Sequence, residues 1–168
     1  MRPMISNFKS LFNILFLSFF SILIIWSCNQ KNQGSKGTDL LKYGIPYTIN
    51  APDQVNITKS QTGRLAAVNI KDGHGYDIQV FMSDASTSNL TKLKQERKEA
   101  VTAHPAFNKI IEEVNEGFIY EKKEITGDLS FDFEIIVVQG DKEINFQAGN
   151  SKLFTEAEVK IMVRSIIK

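Results

Sequence analysis

Two histidines, one cysteine and several groups of acids are the side chains from which this 168-residue chain could build chemistry. His74 stands in Asp72-Gly73-His74-Gly75-Tyr76-Asp77, which sets one imidazole close to two carboxylates. Such a set holds a zinc or iron ion only when further firm ligands join it. Asp and Gly also crowd hairpin tips for backbone reasons, so the expectation here is a solvated turn. His104 precedes Pro105 and is placed at a helix end, where its proton can meet the last carbonyls. No Ser or Cys partner for it is recognisable, and no Gly-x-Ser-x-Gly elbow occurs. Glu112-Glu113 and Glu121 with Glu124 could serve acid–base work, but Lys122 and Lys123 beside them indicate a charged strand surface facing solvent. Gly73 and Gly75 lack the helix that follows a phosphate-binding loop. No catalytic, cofactor or metal site is therefore expected; Asp72, His74, Asp77 and His104 remain as surface candidates.

The elements that position these residues follow from periodicity. Tyr47 and Ile49 alternate with polar neighbours, as do Val55 and Ile57, and Ala51-Pro52-Asp53 turns between them. Residues 64–70 and 76–83 read as two longer strands, joined by the glycine-bearing loop that carries His74. From Ser88 the period changes. Leu90, Leu93, Arg97, Ala100, Val101 and His104 fall on one helical face, with Asp84, Ser86 or Ser88 as caps and a stop before Pro105. Residues 106–116 suit a short helix or a strand equally. Strands are expected over 117–125, 130–139 and 143–148, with Phe131, Phe133, Ile135 and Val137 sharing one face, and Ile144, Phe146 and Ala148 another.

Thr155-Glu156-Ala157-Glu158 has the capping-box pattern, Phe154 and Val159 are placed as its hydrophobic staple, and Val159, Met162, Val163, Ile166 and Ile167 make an apolar stripe. This closing helix must lie on one sheet face, with the middle helix on the other or beside it. Helices over both faces would bury Phe81, which otherwise forms an outward patch with Tyr43 and Tyr120. The fold class expected is α+β: an antiparallel β-sheet flanked by two main helices. The order of elements, the Gly117-Phe118-Ile119-Tyr120-Glu121 strand and the Phe154 to Val159 helix start resemble the PsbP-like family over about 120 residues. That resemblance implies an α/β/α sandwich and a binding or assembly role, and it carries over no functional residue.

The amino-terminal stretch gives an address. Arg2 and Lys9 precede the apolar block Leu11 to Trp26, the order of a secretory signal, and the block is short for the roughly 20 apolar residues of a bilayer span. Ile25-Trp26-Ser27-Cys28 resembles the lipobox of bacterial lipoproteins, with an aliphatic residue three before the cysteine and a small one directly before it. The resemblance implies a signal peptide over 1–27 and a lipidated Cys28, anchored stably if two or more acyl chains are attached. Asn29 to Asp39 has no apolar residue and is expected to stay unstructured. The expected organisation is thus a 1–27 leader, a 28–39 lipidated cysteine and tether, and a single α+β domain over 40–168. Asn29 and the absence of acids up to Gly37 point, by the same resemblance, to the periplasmic face of the outer membrane.

A single cysteine allows no internal disulfide. Of 20 basic side chains, two lie in the leader, so 18 face all 19 acids in the remainder, which is near neutral and has no electrostatic footprint for nucleic acid. The expected partners are the membrane, through lipid on Cys28, and an envelope protein or small ligand. The expected role is a non-catalytic binding or assembly module; a small envelope hydrolase with an unrecognised site is the alternative.

Overall fold

The computed structural model describes residues 37–62 and 65–167. The leader, Cys28 and the tether as far as residue 36 lie outside the described residues. From Gly37 the order is β1 (Thr38–Asp39), a 3-10 turn (Leu41–Tyr43), β2 (Thr48–Ile49), β3 (Asn56–Thr62), β4 (Leu65–Lys71) and β5 (Asp77–Asp84). Then come α1 (Leu90–Thr102), β6 (Phe107–Val114), β7 (Gly117–Lys123), β8 (Leu129–Gln139), β9 (Lys142–Ala148) and α2 (Glu156–Ile166). The architecture is α+β, built on a large antiparallel sheet with two helices.

Seven strands form that sheet in the order β3-β4-β5-β9-β8-β7-β6. Two meanders meet where β5 pairs with β9, with Val80 opposite Phe146. The connection through α1 carries the chain from β5 across to the far edge strand β6. Alternation then sorts the side chains. Phe133 and Ile135 of β8, Ile144 and Phe146 of β9, and Val68, Ile70, Ile78 and Val80 form one continuous core with Val159, Met162, Val163 and Ile166 of α2. The segment before β3 closes this core with Leu40, Ile45 and Ile49. Tyr47 lies on the Phe146 ring at 5.3 Å between centroids, and its hydroxyl donates to the Ile166 carbonyl at 3.0 Å.

The opposite face carries α1. Arg97 of α1 bonds Glu143, which alternates with Ile144, so the two helices lie on opposite faces of the sheet. Lys94 and Lys98 reach Glu113 of β6 at 3.4 and 2.5 Å, and the Lys94 ammonium also donates to the Val114 carbonyl at 2.6 Å. These two bonds hold the Glu113 carboxyl below its usual range. Because α1 packs over β8 and β6, Phe81 on β5 is only half-buried, whereas Tyr120 on β7 is 8% exposed.

The structure decides one reading left open between helix and strand and corrects several expectations. Residues 107–114 form a strand, with register shifts between Phe107 and Lys109 and between Ile110 and Glu112. Thr38 and Asp39, at the end of the stretch expected to be unstructured, pair with Ile49 and Thr48. The cap of α1 is Asn89, whose side chain accepts from the Lys92 amide at 3.1 Å; Asp84 instead ends β5. Glu121, expected on a solvated surface, is 5% exposed, accepts from the Asn108 amide and has the Lys109 ammonium at 3.7 Å. The apolar content of β7 draws this acid inward, and local donors compensate its burial. Among the described residues no helix is long and apolar enough to cross a membrane.

The capping box at α2 is present as the sequence implies: Glu158 N–H donates to Thr155 Oγ1, and the Thr155 amide donates back to Glu158 Oε2. Thr155→Ala should lower the unfolding free energy by about 1 kcal/mol, read by urea denaturation. An unchanged midpoint would show the cap to be dispensable to α2.

Candidate functional site

The four surface candidates divide between two places. At the β4–β5 turn, Asp72 Oδ1 accepts from the amides of His74, Gly75 and Tyr76 at 2.7, 3.0 and 3.0 Å. Gly73 supplies a φ of 79°, which this turn requires. Burial alone would raise the Asp72 carboxyl, but the three amide bonds outweigh it and hold it below its ordinary value. Asp72 is therefore committed to the turn. Asp77 is buried on β5, with Oδ2 3.2 Å from Lys71 Nζ. His74 is exposed beside a shallow hollow of about 200 Å³ that Lys71 and Lys152 also line. Among the described residues no three His, Cys, Asp or Glu side chains gather as a metal set.

His104 lies elsewhere, just past α1, where its Nδ1 accepts from the Ala106 amide at 3.2 Å. It opens onto a cleft of about 310 Å³ between α1 and the sheet. One wall is Arg97, Ala100 and Val101, from the α1 face that periodicity picks out, with His104 just beyond the helix end. Phe107 of β6 with Tyr120 and Lys122 of β7 form the other, and Glu134 of β8 completes the lining. The Phe107 and Tyr120 rings are 6.4 Å apart between centroids, and Phe118 backs Tyr120 at 5.9 Å. Only Leu93 of α1 is buried, so the helix rests on one apolar anchor and its following turns stand over the cleft.

Why the cleft stays polar at its base follows from strand alternation. Phe133 and Ile135 face the core, which turns Asp132 and Glu134 to the α1 side. Neighbouring β9 turns Glu143 and Asn145 the same way, because Ile144 and Phe146 face the core. Four polar side chains thus meet beneath one helix. Arg97 Nη2 donates to Glu143 Oε1 at 2.7 Å, and Lys122 Nζ donates to Asp132 Oδ2 at 3.1 Å. Glu134 is 8% exposed, and its Oε2 has no partner; nor does Asn145 Oδ1.

Burial pushes the Glu134 carboxyl up to about 7. The Asn145 hydrogen bond and Arg97 oppose the rise, whereas the charges on Asp132 and Glu143 add to it. Burial, then the charges of Asp132 and Glu134, push the Tyr120 phenol far above its ordinary range, so it stays neutral and bonded to Asp132. The site therefore combines an acid poised near neutrality, two engaged cations and an aromatic wall. No family model, curated protein or solved structure matches the chain.

Glu134 is absent from the sequence candidates because an acid alternating with aromatic residues looks like the solvated side of an edge strand. The available signal was Ile136, an apolar residue on the same side of the strand as Glu134, which indicates that this side is covered as well.

Proposed function

We propose that the protein is a lipid-anchored module of the bacterial cell envelope that binds a small ligand between α1 and the sheet and performs no catalysis. The observation that carries the binding role is the buried Glu134 carboxyl, with an unpartnered oxygen, lining a cleft that also offers aromatic and cationic groups. A mostly apolar pocket with a few convergent polar groups and a perturbed acid is the usual form of a ligand site. One helix on each sheet face accords with the PsbP-like arrangement, whose members are mostly binding or assembly proteins.

The anchor rests on Ile25-Trp26-Ser27-Cys28 behind the Leu11 to Trp26 apolar block, and the outer membrane's periplasmic face on Asn29 with no acid up to Gly37. Mass spectrometry of the membrane-extracted protein should find acyl groups on Cys28 as the first residue. An unmodified amino terminus elsewhere would remove the anchor from the account. For binding, a fragment library followed by amide chemical shifts of the full chain should give hits at Arg97, Val101, Tyr120 and Glu134. Hits confined to other surfaces would overturn the cleft as the site.

A further inference from the structure

The cleft has a preference written into Glu134, the one residue of its lining with an unsatisfied buried oxygen, beside which Asn145 lies beneath the floor. Glu134 Oε2 and Asn145 Oδ1 are both acceptors, both belong to residues 8% exposed, and neither has a donor. Both residues turn to the α1 side of the sheet, on the adjacent strands β8 and β9. The cations nearby are already engaged, Arg97 by Glu143 at 2.7 Å and Lys122 by Asp132 at 3.1 Å. The charges acting on the Glu134 carboxyl are Asp132 from its own strand, Glu143 from β9 and Arg97 from α1, two acids against one base. Tyr120 from β7 is neutral, and its phenol is taken up by Asp132. What lacks a donor is the Glu134 oxygen itself: of the basic groups on the cleft walls, Arg97 and Lys122 are each held by another acid, and His104 stands at the far end of α1.

We infer that the cleft takes a small nitrogen cation, an amidinium or primary ammonium on a flat apolar body, whose N–H groups meet Glu134 while the body lies against Phe107 and Tyr120. The inference rests on the cleft being the binding site. A volume of about 310 Å³ admits a single ring with its substituent. Aromatic walls favour a cation through their negative faces, and a charge-assisted bond to a shielded carboxylate is stronger than a neutral one. Binding requires the ionised carboxyl, so the complex forms with release of the Glu134 proton and weakens as pH falls through neutrality.

The test titrates the full chain with benzamidine and with benzoate, which match in size and differ in charge, following amide shifts at pH 6 and pH 8. Benzamidine should shift the amides of Val101, Tyr120 and Glu134, with affinity about tenfold higher at pH 8 than at pH 6. In Glu134→Gln its affinity should fall about tenfold with the rest of the spectrum unchanged. Benzoate seated in the cleft in preference to benzamidine would overturn the cation and leave the binding site standing, as would benzamidine binding indifferent to Glu134→Gln. Silence of the cleft amides towards both probes would overturn the cation, and joined to a fragment library with no hit in the cleft it would overturn the site as well.

Discussion

Glu134→Gln should make the protein more stable by about 3 kcal/mol at pH 8 and leave it nearly unchanged at pH 4. The reason is the difference between the folded carboxyl, raised to about 7, and the unfolded one at its ordinary 4.5. Below the unfolded value both states hold the proton, and burial of a neutral acid costs little. Between 4.5 and 7 the folded protein keeps a proton that the unfolded chain has lost, so stability falls as pH rises through this window. Above 7 both states are ionised, and the folded protein carries the full cost of a shielded, half-partnered charge. Glutamine carries none of it. Asp72, Glu113 and Glu158 are lowered, so their contributions are present above their unfolded values and are lost towards acid. Subtracting the variant's denaturation curve from the parent's at each pH isolates Glu134 from them. A difference that is flat from pH 4 to pH 8 would mean that the carboxyl is solvated.

Gly117→Ala should cost about 3 kcal/mol or more, by the cost of forcing atoms into a closed space. A Cβ at Gly117 would lie 1.8 Å from the Glu134 carbonyl oxygen, 2.8 Å from its carbon and 3.0 Å from Ile135 Cα. All three are backbone atoms of the paired strand, so relief requires β7 to move away from β8. That movement would break the ladder at Gly117–Ile135 and at the bond from the Ile136 amide to the Glu116 carbonyl. Gly75→Ala is the contrast: its Cβ meets Glu158 Oε1 at 2.8 Å, the end of a side chain, which can move aside by giving up its bond to Lys152 and loosening the α2 cap. Its expected cost is about 1 kcal/mol. Urea unfolding of both variants checks the pair, and equal losses would show that the close β7–β8 approach does not constrain the fold. The close approach also fixes the main chain from which Glu134 projects, which ties the glycine to the site.

Much of the fold was legible because its elements obey one rule each. The alternating aromatic and Ile positions of 131–137 and 144–148, and the capped stripe of 155–167, led directly to the core they form. Residues 107–114 resisted for a definite reason. Their half-buried positions are Phe107, Ile110, Ile111 and Val114, a spacing of three, four and seven that belongs to a helix. Two register shifts in β6 break the period of two and produce that imitation. The site was less legible than the fold. Arg97, Ala100 and Val101 were rightly grouped on one helical face, whereas His104, grouped with them, lies beyond the helix end at Thr102; whether that face closes on a core or stands over a cleft depends on what lies opposite. Asp132, Glu134, Glu143 and Asn145 come from two strands, and only the β8–β9 register makes them neighbours. His74 and Asp72, closest in sequence to a recognisable metal pattern, turned out to serve a turn.

We propose the α1 cleft as a ligand site because its Glu134 carboxyl is buried and incompletely partnered. A carbon-13 NMR titration of the Glu134 side-chain carboxyl in the full chain tests it most directly. A midpoint near pH 7 that drops when benzamidine is present is the expected result. A midpoint at the ordinary 4.5, unmoved by benzamidine, would contradict it.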